Sequence, residues 1–121
     1  MSIDKVNINH KLAQFTEHWS PRIVGELNQQ HVKLAKFQGE FVWHKHDAED
    51  EMFFVVRGAF EMHLRDKIVH LAEGDFIIIP KGTEHKPVAP EEVHVMLFEP
   101  ATTLNTGDQL NERTVHNPAH L

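Results

Sequence analysis

From Arg22 to Glu99 the chain alternates apolar and polar residues in short runs, whereas the stretch before Pro21 follows a longer period. Val6, Ile8, Leu12 and Phe15 are spaced, from Ile8 onward, as one face of a short amphipathic helix; Asn7 or Asn9 is its N-cap, and Ser20-Pro21 breaks it. Period-two runs bounded by polar or Gly/Pro residues then predict strands over 22–27, 31–37, 40–46, 51–57, 59–65, 68–72, 76–79 and 93–99. Strands so closely spaced suit an all-β fold, a small barrel or a double-sheet jelly roll, which limits exposed edges. After Pro100 the pattern is lost, and residues 101–121 read as a polar arm or frayed tail. The expected organisation is therefore a helical segment (1–21), a β-barrel (22–100) and a C-terminal arm (101–121), with no internal repeat or low-complexity tract.

Composition narrows the picture. A chain of 121 residues suffices for one domain that buries roughly two-thirds of its unfolded surface, and excludes an enzyme with a separate cofactor domain. A hydrophobic content of 40% with 25% charged residues is that of a folded soluble domain rather than a disordered chain. The net charge of −6 repels nucleic acid and anionic membranes. The longest apolar run, Met52 to Val56, is far short of the ~20 residues that span a bilayer, and the N-terminus has no signal-peptide pattern, so a cytoplasmic location is expected. Cys and Tyr are absent while His numbers 11, so any metal must sit on imidazoles and carboxylates.

The offsets among these histidines carry the chemistry. His44 and His46 stand two apart in a run read as a strand, so both imidazoles point to one face. The acidic loop Asp47-Ala48-Glu49-Asp50 follows, and Glu51 opens the next apolar strand on the side of Phe53 and Val55. A carboxylate there needs a partner, and a cation shared with two histidines would supply one. Downstream, the strand ending at Ile79 enters the turn Pro80-Lys81-Gly82 and reaches His85, which such a turn can aim back toward the barrel.

At these residues the sequence resembles the cupin superfamily, whose motifs read G-x5-H-x-H-x3/4-E-x6-G and G-x5-P-x-G-x2-H-x3-N. His44, His46, Glu51 and Gly58 match the first, and Gly74, Pro80, Gly82 and His85 the second, within a resemblance covering residues 39–98. Two positions depart from the pattern: Gly39 stands one residue too close to His44, and Ala89 occupies the place where Asn is frequent. The resemblance implies a jelly-roll β-barrel, or double-stranded β-helix, holding one divalent metal on the residues matching His44, His46, Glu51 and His85. Glu49 or Asp50 is an alternative to Glu51, since the motif allows either spacing. Three imidazoles and one carboxylate suit Fe, Mn, Co, Ni, Cu or Zn, and in an octahedral site four protein donors leave two positions for a substrate or dioxygen. The competing reading is a hydrogen-bonded polar cluster in a barrel without metal.

Outside this set, His94 shares a face with Met96 and Phe98; it either lines the pocket as a catalytic acid/base or lies where a second subunit packs. His63 and His70 are expected to face away from the interior, as are Phe41 and Trp43, the latter two under the N-terminal segment or a second subunit. The expected function is a metal-binding cupin acting on a small polar molecule by oxygenation, as in a dioxygenase, by isomerisation or by a related metal-assisted reaction, with the choice between the first two open. The alternatives are a non-catalytic module that binds a metal or small ligand, and a sugar-phosphate isomerase. The isomerase would require Arg57, Lys81 or Lys86 inside the pocket. A homodimer is expected from the resemblance and from sheet faces that are apolar on both sides.

Overall fold

The computed structural model describes residues 3–121. One short helix, α1 (Ile8–Leu12), precedes seven strands: β1 (Arg22–Leu27), β2 (Gln30–Glu40), β3 (Glu51–Arg57), β4 (Ala59–Leu64), β5 (Ile68–Ala72), β6 (Phe76–Ile79) and β7 (His85–Pro100). All strand pairs are antiparallel, in the order β1-β2-β7-β3-β6, with β4 between β5 and the start of β7. β7 is the axis of the fold: its 16 residues pair with β2 on one side and with β4, then β3, on the other. Curled around this strand, the sheet forms the expected all-β jelly-roll barrel. No helix among the described residues is long and apolar enough to cross a membrane.

Local chemistry explains the elements. Asn7 caps α1, its side-chain oxygen accepting from the His10 amide at 2.9 Å, while the helix ends at Leu12, well before Ser20-Pro21. Asn28 and Gln29 both take positive φ, 50° and 65°, the backbone of a two-residue turn whose twist suits the β1-β2 hairpin. Along β7, Val93, Val95 and Leu97 are buried while His94, Met96 and Phe98 are half-buried on the other face, the period-two signature of one face turned to the core.

The inner face holds Phe37, Phe53, Val55, Phe60, Met62, Val95 and their neighbours. The outer face of β2 and β7 is covered by this chain's own N-terminal segment: Leu12 and Phe15 pack on Leu34, with Ile8, Val24, Val56 and Met96 around them. Intramolecular cover thus explains the apolar face of Met96.

One expectation is corrected and one alternative is decided. The predicted strand 40–46 does not form; after Glu40 the chain makes only a single bridge, His44 to His85. The β2–β7 ladder shifts register between Phe37 and Gly39, a glycine with φ +86°, and ends at Glu40, so the following residues have only the first residues of β7 to pair with. With alternation gone, Phe41 turns inward, stacking on Trp19 at 4.6 Å and meeting His44 edge-on at 5.4 Å. Trp43 does face outward, beneath the Arg65 guanidinium at 3.9 Å.

Residues 101–121 form no strand; of the polar arm and the frayed tail that the sequence offered, the structure has the arm, anchored at several points along its length. Asp108 and Lys45 exchange hydrogen bonds at 3.0 Å, Arg113 donates to the Glu40 carbonyl at 2.7 Å, and Leu121 donates to the Ile23 carbonyl at 2.9 Å. The last residues thereby cap the edge of β1.

Candidate metal centre

Four ring or carboxylate groups converge inside one end of the barrel. His44 and His46 come from the irregular segment after β2, Glu51 from the first position of β3, and His85 from the first position of β7. All are buried, none more than 4% exposed, and one donor atom from each lies within 4.8 Å of the others. Glu51 Oε1 is 3.1 Å from His46 Nε2 and 3.4 Å from His85 Nε2.

The backbone fixes which nitrogen each ring presents. His44 Nδ1 lies 2.9 Å from the Val42 carbonyl, and His85 Nδ1 lies 2.9 Å from that of Thr83. A carbonyl only accepts, so each Nδ1 carries the proton and each Nε2 is left with its lone pair. His46 has no such anchor: both of its ring nitrogens, with Glu51 Oε1 and His85 Nε2, are buried without a hydrogen-bond partner. Unsatisfied polar atoms concentrated at one point are costly in an interior. A divalent cation satisfies them together, and three imidazoles with a carboxylate are donors that a first-row transition metal accepts. The residues fit the metal that the sequence implied.

The electrostatics suit His44 and Glu51 to such a role, whereas on His46 they favour a proton with which a metal must compete. Burial, then the neighbouring His85, push His44 down to about 4, so this ring is neutral near neutrality, as a ligand must be. Burial opposes a charge on His46, but the adjoining Glu51 carboxylate, together with Glu49 and Asp108, outweighs it and holds this ring above its ordinary value. Burial likewise opposes a charge on Glu51, yet contacts with Glu99, His46 and His85 hold its carboxyl well below the usual range.

Two residues the sequence did not single out stand behind Glu51. Lys33 Nζ donates to Glu99 Oε1 at 2.8 Å, with side-chain exposures of only 2% and 1%. Burial, then the Glu51 charge, hold Glu99 well above the usual carboxylate range, against the pull of Lys33. The signal was phase: Lys33 alternates with Ala35 and Phe37, and Glu99 with Val95 and Leu97, so both point inward.

His94 does not join the cluster. It lies on the outer face, where its Nε2 is 3.0 Å from Glu92 Oε1, while His18 Nε2 is 2.7 Å from the other oxygen of that carboxylate. Glu49 and Asp50 are likewise elsewhere: Glu49 accepts from Thr102, and Asp50 accepts from the Lys81 amide. Arg57 and Lys81 are exposed, and Lys86 is tied to Glu40 at 2.7 Å.

Two spaces adjoin the cluster. A small chamber of about 20 Å³ touches His44 and Glu51 and is lined by Trp19, Phe37, Phe41 and Phe53. It has room for roughly one water-sized molecule. On the other side a cleft of about 230 Å³ reaches His46 between residues 45–49 and 102–108. A larger depression of about 420 Å³, lined by Glu61, His70 and Glu92 among others, shares no residue with the cluster, so size does not select the site here.

Comparison with known proteins agrees with this geometry. A family model described as Cupin domain matches residues 30–100. The crystal structure of a cupin-2 domain containing protein from Shewanella frigidimarina shares 46% identity with a TM-score of 0.78, over 78% of this chain and 93% of that one. Uncharacterized protein YdbB of Bacillus subtilis is 41% identical over 64 residues, 52% of this chain and 57% of that protein. Acireductone dioxygenase of Hahella chejuensis is 34% identical over 97 residues, 72% of this chain and 52% of that protein. The chain thus spans little more than half the length of the curated relatives it matches.

Proposed function

Since the chain belongs to the cupin domain family, we propose that His44, His46, Glu51 and His85 hold one divalent transition metal in an enzyme that oxidises a small polar molecule in a dioxygenase-like reaction. The observation that carries this reading is the convergence of four buried residues at a single point, three of which, His46, Glu51 and His85, have buried atoms without a hydrogen-bond partner. The bound metal would supply Lewis acidity and one-electron chemistry. This chain's residues do the rest. The Val42 and Thr83 carbonyls orient two of the rings, Glu51 would offset the metal's charge, and aromatic rings line the chamber beside His44 and Glu51, leaving room for little more than one water-sized molecule.

Several features favour oxidation over isomerisation. The chamber presents rings and Leu97 rather than a free acid or base beside the cluster, and His94 is on the outer face. Neither the chamber nor the cleft is lined by Arg57, Lys81 or Lys86, and the one cation of the cleft, Lys45, is paired with Asp47, which disfavours a phosphate there. The partial match to an acireductone dioxygenase supports the same direction.

Metal analysis of untagged protein purified without an immobilised-metal column tests the reading. About one equivalent per chain is expected, iron favouring the oxygenase, with loss of most metal in His44→Ala and in His85→Ala. Full retention in both variants overturns the metal centre. Metal that is bound while no dioxygen is consumed with any small chelating substrate points to the non-catalytic binding module instead.

A further inference from the structure

The cleft beside His46 carries an asymmetry of charge. One wall offers Lys45, Asp47 and Glu49, and the other Thr102, Gly107 and Asp108. Lys45 Nζ lies 3.4 Å from Asp47, which accounts for the cleft's single cation. Glu49 accepts a hydrogen bond from the Thr102 hydroxyl at 2.9 Å, and Asp108 accepts from the Lys45 backbone amide at 3.0 Å. Both of these donors are neutral, and among the described residues no cationic side chain forms a salt bridge with Glu49 or Asp108. The cleft thus has three carboxylates against one ammonium. His46, which also lines it, is 4% exposed and has both ring nitrogens unpartnered. An interior ring left without a partner at the base of a cleft is a polar group waiting for a ligand. An excess of carboxylates along a cleft repels an approaching anion, and because these groups reach solvent the effect is screened by salt.

We infer that this cleft is the substrate's approach to the metal centre and that Glu49 and Asp108 select small ligands that are neutral or cationic, such as hydroxy-ketones, diols or amines, over carboxylates and phosphates. The inference rests on the metal reading above and adds to it a substrate class and two specificity-determining residues. The cleft's volume, about 230 Å³, is below the range of roughly 300 Å³ upward typical of drug-sized ligands, in keeping with a small substrate. Hydrogen-bond geometry makes the residues separable from the fold, because Glu49→Gln and Asp108→Asn keep the oxygens that accept from Thr102 and from the Lys45 amide.

The test uses the full chain loaded with Co(II), titrated with two chelators of opposite character, neutral acetohydroxamic acid and dianionic oxalate, and followed by visible absorption of the cobalt. In Glu49→Gln/Asp108→Asn, oxalate should bind about tenfold more tightly than in the unsubstituted protein, and in Glu49→Gln alone about threefold. Acetohydroxamic acid should change by less than about twofold, and added salt should raise oxalate affinity in the unsubstituted protein only. Unchanged oxalate affinity, or an equal change for both chelators, overturns the inference while leaving the metal centre standing. Failure of cobalt to give protein-bound absorption overturns both.

Discussion

His44 lies between the Val42 carbonyl and the ring of His85, whose centroid is 4.2 Å away, and this placement has a measurable acid response. Its folded value of about 4, against 6.5 for a free imidazole, means that the unfolded chain takes the proton first on acidification. The stability due to this ring is complete above about pH 6.5 and is lost between there and pH 4, with a ceiling of about 3 kcal/mol for the metal-free protein. His46 works in the opposite sense, its contribution being greatest in acid and lost as pH rises, so the net loss on acidification falls short of that ceiling. Urea unfolding of chelator-treated protein across this range should show the midpoint falling with pH; a flat profile would show that the ring is not held as described. Lys33 and Glu99 give a second residue-scale expectation. Glu99→Leu or Lys33→Met alone strands a buried partner and should cost about 3–5 kcal/mol, while the double substitution should cost clearly less than the sum. These two residues were hidden in the sequence because a Lys or Glu in a strand reads as its solvent side; only the phase of its apolar neighbours says otherwise.

Among the elements, the alternating strands were legible because one face is buried and a slip of one residue would turn the core outward. β1, β3, β5 and β6 lie where the pattern placed them. Residues 41–46 misled because a Phe, a Trp and two His at short intervals imitate alternation, whereas Phe41, His44 and His46 are the buried residues of the segment. The convergence of His44, His46, Glu51 and His85 was legible despite that error, since the motif offsets point to these four residues even though the strand that was to place His44 and His46 on one face does not form. The arm 101–121 has no period to read, being held by individual hydrogen bonds. Gly107 is its closest approach to the site. Its φ is +56°, and an added Cβ would collide with the Lys45 carbonyl oxygen and come within 3.1 Å of His44 Cδ2. Gly107→Ala should therefore cost about 2 kcal/mol or more and weaken metal binding together with stability, measured by thermal unfolding with and without added metal. A neutral effect would mean that the arm does not press on the ligand segment.

For the whole molecule, the sheet edges at β1 and β6 are treated differently. The β1 edge is covered by the chain's last residues, while β6 ends the other side of the sheet with Phe76 and Ile78 exposed at 60% and 56%. In register beside them on β3 lie the half-buried Phe54 and Met52. An apolar strip on an open edge is a place for a second copy, and we propose a homodimer through it. Light scattering at micromolar concentration should give twice the chain mass, and Phe76→Glu should reduce it to one; a monomer before substitution removes the proposal.

Trp19 gives the molecule an optical property. Its backbone has φ 58°, a turn that carries the indole into the barrel, where it stacks between Phe37 at 4.4 Å and Phe41 at 4.6 Å and donates to the Gln38 carbonyl. It also walls the chamber that His44 and Glu51 share. The chain's other indole, Trp43, stands outside beneath Arg65. The two emitters therefore occupy different media, and the blue edge of the protein's fluorescence belongs to the ring beside the candidate metal. Quenching of that edge alone would report a paramagnetic ion arriving inside the barrel, with no label attached.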